Sequence, residues 1–119
     1  MREISRDEVR ALLERWSKNE ATAPQVHEEA EALLEAADWP EHPKGDPRSI
    51  PIEVLSQLEI LNHQLITPED IPAMRSFLAT PVGGEAEGWE SWKRYWSGLD
   101  MGKREKALKG DPYYAPKGE

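Results

Sequence analysis

Three histidines carry most of any case for metal or acid-base chemistry in this 119-residue chain, which has no cysteine. His27, Glu28 and Glu31 stand in the segment HEEAE. On a helix His27 and Glu31 share a face at i,i+4 and could offer two ligands to one divalent ion. The zinc-hydrolase pattern HExxH requires a second histidine four residues after the first, and here that place is Glu31. A small metal-dependent hydrolase centred on His27 and Glu31 therefore needs a ligand from elsewhere, His42 or His63. The competing reading is a hydrogen-bonded histidine at the flank of a buried helical stripe. No nucleophile elbow or dinucleotide fingerprint is present, and the glycines of GGEAEG at 83–88 follow no predicted strand, which removes them as a phosphate cradle. Neither a catalytic residue nor a cofactor is assigned from these patterns, and the leading expectation is non-enzymatic.

Carboxylates dominate the remaining polar chemistry. Net charge is −8, with 12 acids and 7 bases in residues 1–49, 4 and 1 in 50–84, and 7 of each in 85–119. An acidic surface repels phosphate backbones and anionic lipid, so the expected partner is a basic protein, with no nucleic acid and no membrane. Glu28, Glu31 and Glu35 on the second helix, with Glu41 and Asp46 in the loop after it, form the expected contact set; solubility alone is the bland alternative. Trp89, Trp92 and Trp96 recur at three-four spacing beside Lys93 and Arg94. They either fill the core of a bundle poor in phenylalanine or anchor an interface, including the seam of a homodimer.

The elements that must position these residues are helical throughout. Ser5 with Glu8, and Thr22 with Gln25, spell capping boxes for two helices joined by a short turn, which predicts an antiparallel hairpin. The first helix buries Val9, Leu12, Leu13 and Trp16, and the second buries Val26, Ala30, Leu33, Leu34 and Ala37 to about Asp38. Residues 39–49, WPEHPKGDPRS, hold three prolines and a glycine and read as a loop pinned by Trp39. Residues 50–66 are the central apolar helix, too apolar for a one-sided surface helix, with Asn62 as a polar residue inside its buried arc. Thr67 caps the next helix, and Asp70 is placed to favour its positive dipole end unless Pro72 delays the helix to that point. The Trp-bearing helix spans about 85–99. A short last helix, capped by Asp100, is expected to turn Met101, Ala107 and Leu108 inward and Lys103, Arg104, Lys106 and Lys109 outward. From 111 the tail is expected to be extended, with Tyr113 and Tyr114 docked or left for a partner. The fold class is thus all-α: one domain over 1–119, a compact bundle of five to six helices. With no leader pattern and no apolar run of about 18 residues, a cytoplasmic location is expected.

The capped helix ending in Trp16, the polar turn Lys18 to Glu20, and the second helix opening at Thr22 resemble the start of small helical bacterial immunity proteins of the colicin D type. This covers the first third of the chain. The resemblance implies a cytoplasmic binder that neutralises a basic toxin, often a nuclease, through acidic residues.

Overall fold

A computed structural model describes residues 3–37 and 46–114. Expectations for Trp39, Glu41 and His42, and for the side chain of His63, lie outside the described residues. Within them the protein is all-helical and forms one bundle: α1 (Arg6–Ser17), α2 (Ala23–Ala36), α3 (Ser49–Glu59), α4 (Leu61–Gln64), α5 (Ile71–Leu78), α6 (Glu85–Ser97) and α7 (Met101–Ala107). Counting α3 and α4 as one interrupted helix gives the upper end of the expected number.

Both expected capping boxes close. Ser5 Oγ accepts from the Glu8 amide at 3.1 Å while the Glu8 carboxylate accepts from the Ser5 amide at 2.9 Å. Thr22 and Gln25 exchange the same pair of bonds at 3.3 and 2.8 Å. Asn19 then turns the chain in the left-handed conformation, with φ of 62°, a region its short amide side chain tolerates. The hairpin brings Val9, Leu13, Val26 and Ala30 to zero exposure, with Leu33 only partly buried at its edge.

The central helix is central but broken. Ile50, Val54, Leu55, Leu58 and Leu61 are all completely buried, and α3 packs against α1, α2 and α5. At Ile60 the backbone leaves helical geometry (φ −120°, ψ 30°), and the side chain is 38% exposed. The expected single helix over 50–66 is therefore two, ending at Leu65 in the left-handed region with φ of 56°. A β-branched residue is one of the weaker helix formers and Leu65 bears a Cβ in the αL cap, so apolar periodicity alone did not mark the break.

After it, Thr67 caps a 3-10 turn (Pro68–Asp70) that leads directly into α5. Arg6 and Arg10 of α1 donate to the Leu78 carbonyl at 2.9 and 3.2 Å, satisfying the end of α5 and tying it to the hairpin. Gly88 of α6 lies so close to Thr80 that a Cβ there would collide with its side chain. That approach fixes how α6 packs on α5.

Candidate functional site

Helix α2 turns its apolar stripe to α3 and leaves Glu28, Glu31 and Glu35 exposed on the far side. At about 100° per residue these three fall within roughly 60° of arc, so they form one stripe. Glu29, one step round, pairs with Arg15 of α1. Among the described residues Glu28, Glu31 and Glu35 belong to no ion pair, which leaves three uncompensated carboxylates in line. Asp46, by contrast, is paired. Its carboxylate is held by Arg48 at 2.7 Å and also caps the Arg48 amide at 2.9 Å.

His27 is half-buried at the flank of this stripe. Its Nδ1 is 2.5 Å from the Tyr113 hydroxyl, and the two rings meet edge to face. Burial, with the nearby Glu28 charge adding to it, pushes the Tyr113 phenol up to about 12. Among the described residues no group of three or more His, Asp or Glu side chains is arranged to hold a metal ion. The residue found beside His27 is thus a tyrosine from 86 positions away.

Tyr113 belongs to a second 3-10 turn (Pro112–Tyr114), which replaces the extended tail expected there. Tyr114 is 7% exposed and donates to the Ile66 carbonyl at 2.6 Å. Burial is the main cause of the upward shift of its phenol. Both tyrosines are therefore docked.

Between them and α6 lies the most buried charged side chain among the described residues. Asp70, with no exposure, receives Arg104 in a bidentate pair at 2.7 and 3.0 Å, the Thr67 amide at 2.9 Å, and the Tyr95 hydroxyl. Arg104 also donates to the Leu65 carbonyl at 3.1 Å. Burial works against the Arg104 cation, but the hydrogen bonds and charge of Asp70 outweigh it and push its pKa up. Burial and then the Asp70 bond push the Tyr95 phenol up to about 12. The cluster corrects two expectations: Asp70 is a buried counter-ion as well as a cap, and Arg104 points inward. Helix α7 itself buries no residue; Met101 is 38% exposed, Ala107 is exposed, and only Leu108 just beyond is partly covered. A short basic helix with no apolar stripe has little else to dock it, which is the physical reason for the inward arginine. Each oxygen of the buried Asp70 carboxylate accepts two hydrogen bonds, so the cluster reads as a structural tie.

The Trp seam is divided between core and surface. Trp92 is 4% exposed and stacks on Phe77 at 4.4 Å and 13°, while Trp89 and Trp96 are only partly buried. On the α5 side of α6 a shallow groove of about 520 Å³ is lined largely by small residues from Ala73 to Ser91. On the other side a groove of about 640 Å³ runs between α6 and α3–α4, walled by all three tryptophans. Glu53 stands in it. Its Oε2 accepts from the Trp92 indole at 2.8 Å and from the Gln57 amide at 3.2 Å. Sequence reading missed Glu53, because one glutamate on the flank of an apolar helix carries no mark of its partners. Asn62, the polar residue of the central arc, has a buried Oδ1 without a donor among the described residues. Such an atom costs about 1–3 kcal/mol.

No helix among the described residues is long and apolar enough to cross a membrane. Comparison with protein-family models, with curated proteins and with solved structures returns no match for this chain.

Proposed function

We propose that this chain is a non-enzymatic, cytoplasmic helical module that binds a basic protein through the α2 carboxylates, an immunity protein or other inhibitor being its most concrete form. The observation that carries the reading is the stripe of Glu28, Glu31 and Glu35, exposed, aligned and uncompensated while neighbouring acids such as Glu14 and Glu29 are paired. Like charges held in register on a rigid helix gain nothing from one another. A facing row of Lys or Arg would relieve that repulsion and be steered in by the field. The resemblance of the first third to immunity proteins points the same way.

The test is capture from host extract by the tagged protein and by its Glu28→Lys/Glu31→Lys/Glu35→Lys variant. A stoichiometric basic protein, released by salt and lost in the variant, is the expected result. With that partner purified, the association rate should fall by about tenfold or more at low salt in the variant. Equal capture by both proteins removes α2 from the interface.

A further inference from the structure

The groove between α6 and α3–α4 combines an aromatic wall with charged side chains. Its walls are aromatic, from Trp89, Trp92 and Trp96, and its fixed charge is the Glu53 carboxylate. That carboxylate is oriented by two neutral donors on Oε2, Trp92 and Gln57, while Oε1 receives no hydrogen bond among the described residues. No cation of the chain pairs with it there. Lys93 stands on the rim, exposed and likewise in no ion pair among the described residues. An anion fixed at an aromatic wall has one vacant acceptor.

We infer that this groove is a subsite for an arginine side chain of the protein partner, its guanidinium lying against Trp96 and donating to Glu53 Oε1. The inference rests on the reading of a basic protein partner but not on α2 as its contact face. Electrostatics favours a cation, since indole faces carry negative quadrupole potential and Glu53 adds a full charge. Arginine fits better than lysine. A guanidinium is planar, stacks on aromatic rings, gives up hydration cheaply and offers a fork of donors to a carboxylate, whereas an ammonium is compact and strongly hydrated. Trp and Arg are also the residues that most often concentrate binding energy at the centre of interfaces. Lys93 opposes the incoming charge, so it sets a modest penalty that only a cation able to reach Glu53 overcomes.

The indole N–H of Trp92 bonds to the other oxygen of the same carboxylate, Oε2, so its resonance reports occupancy at Oε1. Full-length labelled protein would be titrated with N-acetyl-arginine amide, with the lysine analogue, and with the neutral citrulline analogue. Expected is a saturable shift of the Trp92 indole signal with the arginine probe, weaker with lysine and absent with citrulline. Glu53→Gln, which keeps an acceptor for Trp92, should weaken the arginine probe by about tenfold or more. Trp96→Leu should weaken it independently, and Lys93→Ala should tighten it. Equal response to citrulline, equal response to lysine, or no response at all overturns the proposal. So does a Trp92 shift that follows protein concentration alone, because the groove is then covered by a second copy. The Glu28→Lys/Glu31→Lys/Glu35→Lys variant is expected to bind the probe unchanged, so a failure at Glu53 and a failure of the α2 reading are separate results.

Discussion

The α1–α2 hairpin and the segment from α6 to Tyr114 are of similar size and both helical, but they are held by opposite means. In the hairpin most ties are local or apolar: two capping boxes, the Glu14–Lys18 pair at 3.1 Å, and a seam of fully buried Val9, Leu13, Val26 and Ala30. The exceptions are the long-range polar contacts of Arg6, Arg10 and Glu14 to α5 and its end. In the C-terminal segment α7 buries nothing, and the ties are long-range and polar: Arg104 and Tyr95 to Asp70, Tyr114 to the Ile66 carbonyl, Tyr113 to His27. Apolar burial is non-directional and tolerates small errors. A buried polar tie is all or nothing, because a lost partner leaves the other uncompensated. The two regions should therefore fail differently, the hairpin by degrees and the C-terminal segment in one step.

The largest effect is expected at Asp70. Asp70→Ala strands a guanidinium whose side chain is only 11% exposed and removes the acceptor of Tyr95. Breaking such a pair costs about 3–5 kcal/mol, a large share of the roughly 5–15 kcal/mol of an ordinary domain. Denaturant unfolding should show the loss, and hydrogen exchange should show residues 98–114 losing protection before α1 and α2. Replacing both partners by apolar residues, Asp70→Leu with Arg104→Met, should restore part of the stability, since no charge is then left buried while the Tyr95 hydroxyl and the Thr67 amide still lack their acceptor. A cost below about 1 kcal/mol for Asp70→Ala would mean the tie contributes no more than a surface pair.

Alkaline pH separates the regions without mutation, because all three tyrosines of the chain, Tyr95, Tyr113 and Tyr114, lie in the C-terminal one. Tyr95 and Tyr113 are raised from 10 to about 12, each chiefly by burial. Above pH 10 the unfolded chain releases these protons and the folded chain keeps them. Folding stability is thus full below pH 10 and falls as pH climbs toward 12. Tyrosinate absorbance should appear well above pH 10 and together with loss of protection in α7. Ionisation near pH 10 with α7 still protected would mean that the tyrosines are not docked in solution.

Legibility from sequence divides along the same line. Ser5 with Glu8 and Thr22 with Gln25 were readable because a cap and its partner sit three residues apart, and the contact follows from helix geometry alone. Leu55, Leu58 and Leu61 were readable from period. Arg104 was not, since it lies among Lys103, Lys106 and Lys109 and differs from them only in having Asp70, 34 positions away, to pair with. Glu53 and Trp92, 39 apart, and His27 and Tyr113, 86 apart, were hidden for the same reason. The acidic stripe stood out because Glu28, Glu31 and Glu35 are neighbours on one helix. The break at Ile60 escaped because it interrupts the backbone while leaving the apolar spacing intact.

The smallest effects are expected at the caps, and they test the hairpin's side of the comparison. Ser5→Ala and Thr22→Ala each remove a side-chain acceptor from an N3 amide at a solvent-exposed helix end. Water reaches both amides, so each substitution should cost about 1 kcal/mol, and the glycine versions only a few tenths. The two caps share no hydrogen-bond partner. Their costs should therefore add to within roughly 0.5 kcal/mol in the double variant, measured as denaturant midpoints at constant slope. Hydrogen exchange supplies the sharper reading: protection should fall at the first turns of α1 and α2 while α7 stays as protected as in the parent. If the double cap variant instead loosens α7 first, the C-terminal segment is the weakest unit of the whole bundle and responds to any loss of global stability, whatever its own ties are worth.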